Sequence, residues 1–237
     1  MFKFSLLTMA TMASGKSRKD GEATKMKILE AACFVFSNKG FREATVHEIC
    51  KLAESNPALI NYHFGDKASL YKAVWRHCAE RAREYYPIEG GAGSLESVED
   101  RLRAHIHTFV RCMADTGELS HLHRLNLLEM AAPNDFIRDF IVALRQPHTE
   151  YLRSLLREFF GDAATEEDIQ LCEMSVIGQC RMARAGRGAR SPDLTTPLSA
   201  SETEQLADHI VHFTFSGLNA MRREILARSA SSQTSQS

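Results

Sequence analysis

Two helix starts lie so close together in this chain that the helices they begin must form a tight helix-turn-helix. Thr45 and Glu48 match the Thr-x-x-Glu capping box, in which a hydroxyl and a carboxylate each pair with a backbone N–H that the first helical turn leaves free. Asn56 followed by Pro57 marks the second start, because an amide side chain caps a helix and proline fits its first position. Only residues 54–55 remain for the turn, so the second helix crosses the first steeply and can enter a DNA major groove.

The second helix is predicted from Pro57 to about His63, and the chain then starts another helix without a break. Asn61-Tyr62-His63-Phe64 closes the second helix, and Gly65-Asp66-Lys67 opens the next one with Asp66 as its cap. This arrangement is typical of DNA recognition.

Four segments resemble the TetR family of transcriptional regulators: Thr24–Ala32 (TKMKILEAA), Phe36–Gly40 (FSNKG), Thr45–Ala53 (TVHEICKLA) and Tyr62–Leu70 (YHFGDKASL). The rest of the chain is similar to the CecR-like branch of that family, at Ser175–Cys180 (SVIGQC) and Leu206–Leu218 (LADHIVHFTFSGL). One position departs from the family pattern, since Glu54 stands where the family usually has glycine at the turn. We therefore expect a strained turn or a slightly different turn geometry.

The resemblance implies a bacterial, cytoplasmic, homodimeric repressor that needs no cofactor. It implies binding to a palindromic operator in double-stranded DNA, and release when a hydrophobic or amphipathic small molecule enters the body and shifts the helix that Asp66 caps. Resemblance to the CecR-like branch further implies control of drug efflux or related transport genes.

The resemblance also assigns contacts within the helix-turn-helix. Of the residues placed at base edges, only Asn61 can form paired hydrogen bonds to adenine, whereas Ala58 and Leu59 can only pack, for instance on thymine methyl groups. Phe64 is expected to pack the head, and packing is also the alternative role for Tyr62. The predicted base-edge residues are Pro57, Ala58, Leu59 and Asn61, next to the cap Asn56, and the predicted phosphate-facing residues are Thr45, Tyr62, His63 and Lys67.

Composition and charge fit an all-α protein with a DNA-binding head and a separate body. Helix starts recur along the chain, and glycine-bounded alternating runs that would indicate strands are missing. Residues 1–86 contain 14 Lys+Arg and 9 Asp+Glu, a net charge of +5, whereas residues 87–237 contain 15 and 21, a net charge of -6. A basic head is expected, because phosphate attraction supplies most of the sequence-independent affinity for DNA.

These patterns predict four parts of the chain. The fold class is an N-terminal three-helix helix-turn-helix head joined to a helical body for ligand binding and dimerisation. The apolar run in the first fifteen residues resembles a signal peptide, but it is short and leads into basic residues, so an arm is favoured. The predicted parts are a disordered basic arm at 1–21, the head at 22–82 with its helix-turn-helix at 45–64, the body at 86–228 and a disordered tail at 229–237.

The last long helix has apolar residues on two faces, so it must be covered on two sides. One cover can be the chain's own core and the other a second subunit, which would make a four-helix bundle across a two-fold axis; a fully internal helix is the alternative. The predicted dimer residues are Met174, Ile177, Val211, Phe213, Phe215 and Leu218, and the predicted ligand-pocket lining, or alternatively plain core, is Phe109, Met113, Leu125, Leu128, Met130 and Phe136.

Other functions are less consistent with the sequence. Glu118-Leu119-Ser120-His121 is a single Glu-x-x-His, whereas a di-iron bundle needs two copies, and no hydrolase or zinc-protease motif is complete. The six cysteines form no Cys-x-x-Cys pair and are expected to be buried, with Cys112 and Cys180 as candidates for redox sensing. The remaining alternative is a protein-binding adaptor with degenerate DNA recognition, which Glu54 and the apolar Ala58 and Leu59 would favour.

Overall fold

The protein is described by a computed structural model that covers residues 5–91, 97–117, 119–182 and 198–234, with side chains for 20–91, 97–117, 119–181 and 198–231. Within these ranges the chain forms nine α-helices and no β-strand, which confirms the predicted all-α class. The sequence also predicts a loop rich in Gly, Arg, Ser and Pro at 186–197, a helix cap at Ser94 and a helix start near Glu118, and all three lie outside the described residues.

The helices follow one another with short connections, and Pro147 lies inside the seventh. A single 3-10 turn, Asp135–Ile137, precedes that helix. The bounds are α1 Ser5–Glu43, α2 Val46–Leu52, α3 Pro57–Phe64, α4 Lys67–Tyr85, α5 Val98–Ala114, α6 Ser120–Ala131, α7 Arg138–Phe160, α8 Glu166–Met182 and α9 Ala200–Thr234.

Both termini differ from the sequence-based expectation. The predicted arm at 1–21 is helical from Ser5, and the predicted tail is helical to Thr234. Neither segment contains proline, the residue that most strongly breaks a helix. Near the other end of α1, Gly40 has φ 74° and interrupts the helix before the short stretch that leads to α2.

The helices group into two compact units. The first comprises residues up to Ala79 together with His121–Ile141, and the second comprises Glu80–Ser120 and everything from Val142. The sequence analysis placed 121–141 in the body, but Leu125 and Ile137 are fully buried in the first unit. Phe136 also packs there, with its ring 4.6 Å from that of Phe41.

The second unit has its own core, built from α5, α7, α8 and α9. At its centre are Ile106, Leu152 and Val176, which expose 1% of their surface or less. Arg111 donates two hydrogen bonds to the carboxylate of Glu204, at 2.6 and 2.7 Å, and so joins α5 to α9. Burial of this apolar surface is the main stabilising contribution within the unit.

The turn before the second unit's first helix packs tightly against α5. Gly90 has φ 66°, and a Cβ atom there would lie 2.4 Å from the backbone oxygen of Ala104. Gly91 also has a positive φ, 78°, but nothing lies within 4 Å of the position where its Cβ would be. The glycines of residues 89–93 suggest a hinge in the sequence, but the chain packs closely against α5 at Gly90.

These two glycines give a matched pair of variants. Gly91→Ala should cost only the backbone strain of a left-handed alanine, about 1 kcal/mol. Gly90→Ala adds a clash with backbone to the same strain and should cost roughly 2–4 kcal/mol. Thermal unfolding followed by circular dichroism measures both, and equal losses would show that the close approach to Ala104 is not needed.

Candidate nucleic-acid interface

The start of α2 is held by the capping box that the sequence predicted. Thr45 Oγ1 accepts a hydrogen bond from the Glu48 backbone N–H at 3.2 Å, and the Thr45 N–H donates to Glu48 Oε2 at 3.1 Å. Lys39 forms an ion pair with the same carboxylate. Lys39 and Thr45 together lower the pKa of Glu48 to about 2, so the cap is charged at all physiological pH values.

The turn between α2 and α3 is strained at Glu54, the position where this chain departs from the family pattern. Glu54 has φ 49°, and it is the one non-glycine residue with positive φ in the described part of the chain. The Ser55 N–H donates to the Cys50 carbonyl at 2.9 Å and closes the turn. The first of the two expectations for Glu54 is therefore confirmed: it adopts a left-handed conformation at an energetic cost.

The outward face of helix α3 carries both polar and apolar side chains. Asn56 caps it, since its Oδ1 accepts from the Leu59 N–H at 3.1 Å, and Ile60 is completely buried on the inner side. Pro57, Ala58 and Asn61 are exposed, and Leu59 is half-buried. The Asn61 amide makes no side-chain hydrogen bond within the described residues, so it is available to a partner.

The predicted phosphate-facing residues are not equally free. Tyr62 is 81% exposed, and its ring lies 4.9 Å from that of His63, whereas Phe64 is half-buried as expected. Lys67 lies with its Nζ 4.7 Å from the centroid of the Phe41 ring, and burial lowers its pKa. Asp66 caps α4 by accepting from the Ser69 N–H at 2.7 Å.

The six predicted pocket residues do not lie in one unit. Phe109 and Met113 belong to the second unit, whereas Leu125, Leu128 and Phe136 belong to the first. Leu125 is part of the buried interior of that unit, and Met130 is 66% exposed. Because 121–141 folds with the first unit, these four residues do not line a pocket within the body.

The predicted dimer residues separate into two groups. Val211 and Leu218 are 1% and 4% exposed, so the chain's own core uses them and the prediction for these two is wrong. Ile177 and Phe215 pack against the same core. Met174 and Phe213 are each 62% exposed, and with Leu171 they form an apolar outer surface on α8 and α9.

The sequence analysis missed two side-chain clusters, because their members are far apart in the chain. His105, His148 and Tyr151 meet in the second unit, with ring centroids 4.5 Å apart for the histidine pair and 5.3 Å apart for His105 and Tyr151. The buried thiols of Cys33 and Cys78 lie 3.8 Å apart in the first unit.

The cysteines chosen as redox candidates are poorly suited to that role. Burial raises the pKa of Cys112 and of Cys180 to about 12, so almost none of either thiol is the reactive thiolate at neutral pH. Oxidation sensing at these two positions is therefore disfavoured.

Comparison with known proteins agrees with this architecture. The family described as "Bacterial regulatory proteins, tetR family" matches residues 28–74, and the family described as "HTH-type transcriptional dual regulator CecR, C-terminal domain" matches residues 98–221. The second match covers more than half of the chain. The chain therefore belongs to the TetR family of transcriptional regulators and carries a CecR-type C-terminal domain.

Curated relatives match mainly in the head. The chain is 38% identical over 69 residues to the transcriptional repressor NicS of Pseudomonas putida, covering 29% of this chain and 32% of NicS. It is 36% identical over 73 residues to the regulator UidR of Escherichia coli, covering 30% of this chain and 37% of UidR. The matches thus span about a third of these relatives' length. These relatives are transcriptional regulators rather than enzymes, in agreement with the sequence analysis.

Solved structures share the fold over most of the chain. A complex of AibR with isovaleryl coenzyme A and operator DNA has a TM-score of 0.62 at 19% identity, covering 80% of this chain and 97% of AibR. A TetR-family regulator from Rhodococcus sp. has a TM-score of 0.61 at 20% identity, covering 84% and 98%. At these identities the likeness establishes the fold alone.

The described residues contain no helix long and apolar enough to cross a membrane and no group of three side chains suited to hold a metal ion. His121, from the Glu-x-x-His motif, instead lies with its Nδ1 2.7 Å from the hydroxyl of Ser37.

The strained turn yields a stability prediction. Glu54→Gly should raise the free energy of unfolding of the head by roughly 0.5–1 kcal/mol, because glycine adopts positive φ without steric cost. Lys51→Gly, one turn earlier inside α2, should lower it by about 1 kcal/mol. Trp75 is the single tryptophan of the chain and is buried in the first unit. Its fluorescence, monitored during a urea titration, therefore reports on the unfolding of this unit. A neutral or destabilising Glu54→Gly would show that the turn is not strained.

Proposed function

We propose that this protein is a cytoplasmic, homodimeric repressor that reads a palindromic operator with α3 and releases it when a small molecule binds the body. The observation that carries the proposal is the outer face of α3. Pro57, Ala58 and Asn61 are exposed there, on a short helix whose position is fixed by Ile60 on its inner side.

The chemistry of that face suits a major groove. Asn61 offers an acceptor and a donor that match the N6 and N7 atoms of adenine, and Ala58 can contact a thymine methyl group. Tyr62 is positioned beside it with a hydroxyl that has no partner in the described residues, as expected for a group that donates to a phosphate. The net positive charge of residues 1–86 supports the same role, because α3 lies within them, whereas residues 87–237 carry a net negative charge.

A dimer is supported by the outer surface of α8 and α9. Leu171, Met174 and Phe213 are large apolar side chains that expose between 52% and 62% of their surface on two helices that pack against each other. Burial of such a surface against a second copy would make the four-helix bundle expected from the sequence. Two recognition helices related by a two-fold axis would then read an inverted repeat.

Repression and release by a ligand are supported by similar proteins. NicS is named as a repressor, and the AibR structure contains both an acyl-coenzyme A and operator DNA. Efflux or related transport genes are the proposed targets, on the resemblance to the CecR-like branch.

The proposed base contact is tested with Asn61→Ala and Tyr62→Phe. The first should cost about 1–3 kcal/mol on a DNA site that the wild-type protein retains and much less on a scrambled site, because it removes a base-specific pair. The second should weaken both DNAs alike, because it removes only a phosphate contact. Tyr62→Phe is a cleaner phosphate variant than Lys67→Ala, which would also remove the contact with Phe41.

Fluorescence anisotropy titrations at several salt concentrations measure both variants. If Asn61→Ala lost equal affinity for the two DNAs, Asn61 would be excluded as a base contact. A wild-type protein that binds no DNA at any salt concentration would instead support the adaptor alternative.

The proposed interface is tested with Phe213→Glu. A charge at this position should prevent dimerisation, because it would be buried without a partner between subunits. The fold of each chain should survive, since Phe213 is mostly exposed in the single chain. Asn219→Glu, exposed on another side of α9, is the matched control and should remain dimeric. Light scattering gives the mass, and a dimeric Phe213→Glu would exclude this surface.

A further inference from the structure

A groove on the first unit lies between α1 and the end of α2. Its volume is about 450 Å³, which is within the range of small-molecule sites. The lining comes from α1, from the last residue of α2 and from the turn that follows it. The lining residues are Lys27, Glu30, Ala31, Phe34, Leu52, Ala53 and Glu54.

The spacing of the α1 residues explains why they share the groove. Positions 27, 30, 31 and 34 are separated by three or four residues from one to the next along a helical face, so their side chains point to the same side of the helix. Helix α2 packs against α1 and supplies the other side of the groove together with the turn after it.

Small side chains leave the space open, and larger ones border it. Ala31 and Ala53 are buried, so they form the floor. Phe34 and Leu52 expose 54% and 52% of their surface, so they form apolar edges that a ligand can reach from solvent. Exposed large apolar side chains around a concave surface are typical of a binding site.

The charged groups of the groove are available to a ligand. Lys27, Glu30 and Glu54 are exposed, and none of their side chains makes an ion pair or a hydrogen bond within the described residues. One ammonium and two carboxylates give the lining a net charge of -1. Charge complementarity therefore favours an occupant that carries a positive charge on an apolar body.

One of the two carboxylates is kept at an energetic cost. Glu54 has φ 49°, a conformation that glycine adopts without strain. Strained residues of this kind cluster at ligand sites, where the surrounding structure holds them. A need for the carboxylate, which glycine lacks, accounts for the glutamate at this position.

Phe34 adds a second attraction for the same class of ligand. The face of an aromatic ring attracts a cation, and the exposed ring of Phe34 lies one turn after Glu30 on α1. The same ring also favours an aromatic ligand, because aromatic pairs attract each other beyond the area that they bury.

We propose that this groove binds a small aromatic amine that is protonated at neutral pH. The ammonium group pairs with Glu30 and Glu54, and the ring packs on Phe34 and Leu52 over the buried alanines. The site adjoins the turn that leads into α3. It adds a ligand site on the head to the proposed function, which places the effector in the body.

Isothermal titration of the full-length protein with three compounds of similar shape tests the charge preference. Phenethylammonium carries the cation, phenethyl alcohol replaces it with a neutral hydroxyl, and hydrocinnamate replaces it with a carboxylate. At low ionic strength the cation should bind about fivefold tighter than the alcohol, and hydrocinnamate should bind weakest. Added salt should reduce this preference, because the carboxylates are exposed.

Two neutral variants assign the preference to the carboxylates. Glu30→Gln and Glu54→Gln should each weaken binding of the cation by about twofold to fivefold and leave binding of the alcohol unchanged. Both side chains are exposed, so the fold should be kept. Glu43→Gln, an exposed glutamate on α1 outside the groove, is the matched control and should bind as the wild type does.

The apolar part of the site is tested with Leu52→Ala. This variant should weaken both the cation and the alcohol by about threefold, because it removes apolar contact that the two compounds share. Leu226→Ala, at a leucine of α9 that is 51% exposed, is its control. If Leu52→Ala does not fold, the two glutamine variants decide the inference.

The outcomes separate this inference from the proposed function. Absence of wild-type binding up to millimolar concentration, or equal affinity for phenethylammonium and hydrocinnamate, would overturn the inference. Unchanged binding of the cation by both Glu30→Gln and Glu54→Gln would also overturn it, because the compound would then bind elsewhere on the chain. None of these titrations involves DNA, so the proposed function stands or falls by its own test.

Discussion

The DNA-facing surface depends on the four-residue connection at 53–56. It holds Glu54 in a left-handed conformation and ends in the Asn56 cap, whose side chain closes the first turn of α3. With so short a connection the direction of α3 is fixed by α2, and α2 is fixed in turn by the Thr45 capping box. The exposure of Asn61 opposite the buried Ile60 follows from that direction. A strained residue at this point is consistent with geometry that the fold must keep at some cost in stability.

Hydrogen bonds to the segment 121–141 also hold the helices of the first unit in place. The Tyr71 hydroxyl donates to Glu129 at 2.8 Å, and the Asn134 side-chain amide donates to the same carboxylate oxygen at 2.7 Å. These bonds join α4 to the connection between α6 and α7. Burial raises the pKa of Tyr71 well above its usual value, so the hydroxyl remains a donor there. Movement of α6 would thus be felt at Tyr71 of α4.

A ligand can use this connection only if it binds one arrangement better than the other. Equal affinity for the DNA-bound and released geometries would shift nothing, however tight the binding.

The local parts of this structure could be predicted from sequence, because caps and turns depend on residues a few positions apart. Thr45, Asn56 and Asp66 all cap helices as predicted. Where several candidates lie close together, the same rule fails. The sequence suggests Ser94 as the cap of α5, but the cap is Ser97. It also suggests Ser201 with Glu204 as the capping box of α9, but Ser199 pairs with Glu202 instead.

Long-range packing could not be predicted, because an apolar stripe does not specify which surface covers it. The stripes of α9 suggested an interface for Val211 and Leu218, yet the chain's own core covers both. Similarly, nothing in the spacing of His105, His148 and Arg181 indicates that they act on one another. The packing of the segment 121–141 within the first unit rests on contacts such as Phe136 with Phe41, which only the folded chain brings together.

The central claim is that a two-fold pair of α3 helices reads base sequence. Selection of DNA from a random pool by the purified full-length protein, followed by sequencing, tests it most directly. The account predicts enrichment of an inverted repeat whose half-sites are spaced by about one helical turn or a small multiple of it. A retained pool with no enriched sequence, or with one that lacks two-fold symmetry, would contradict it.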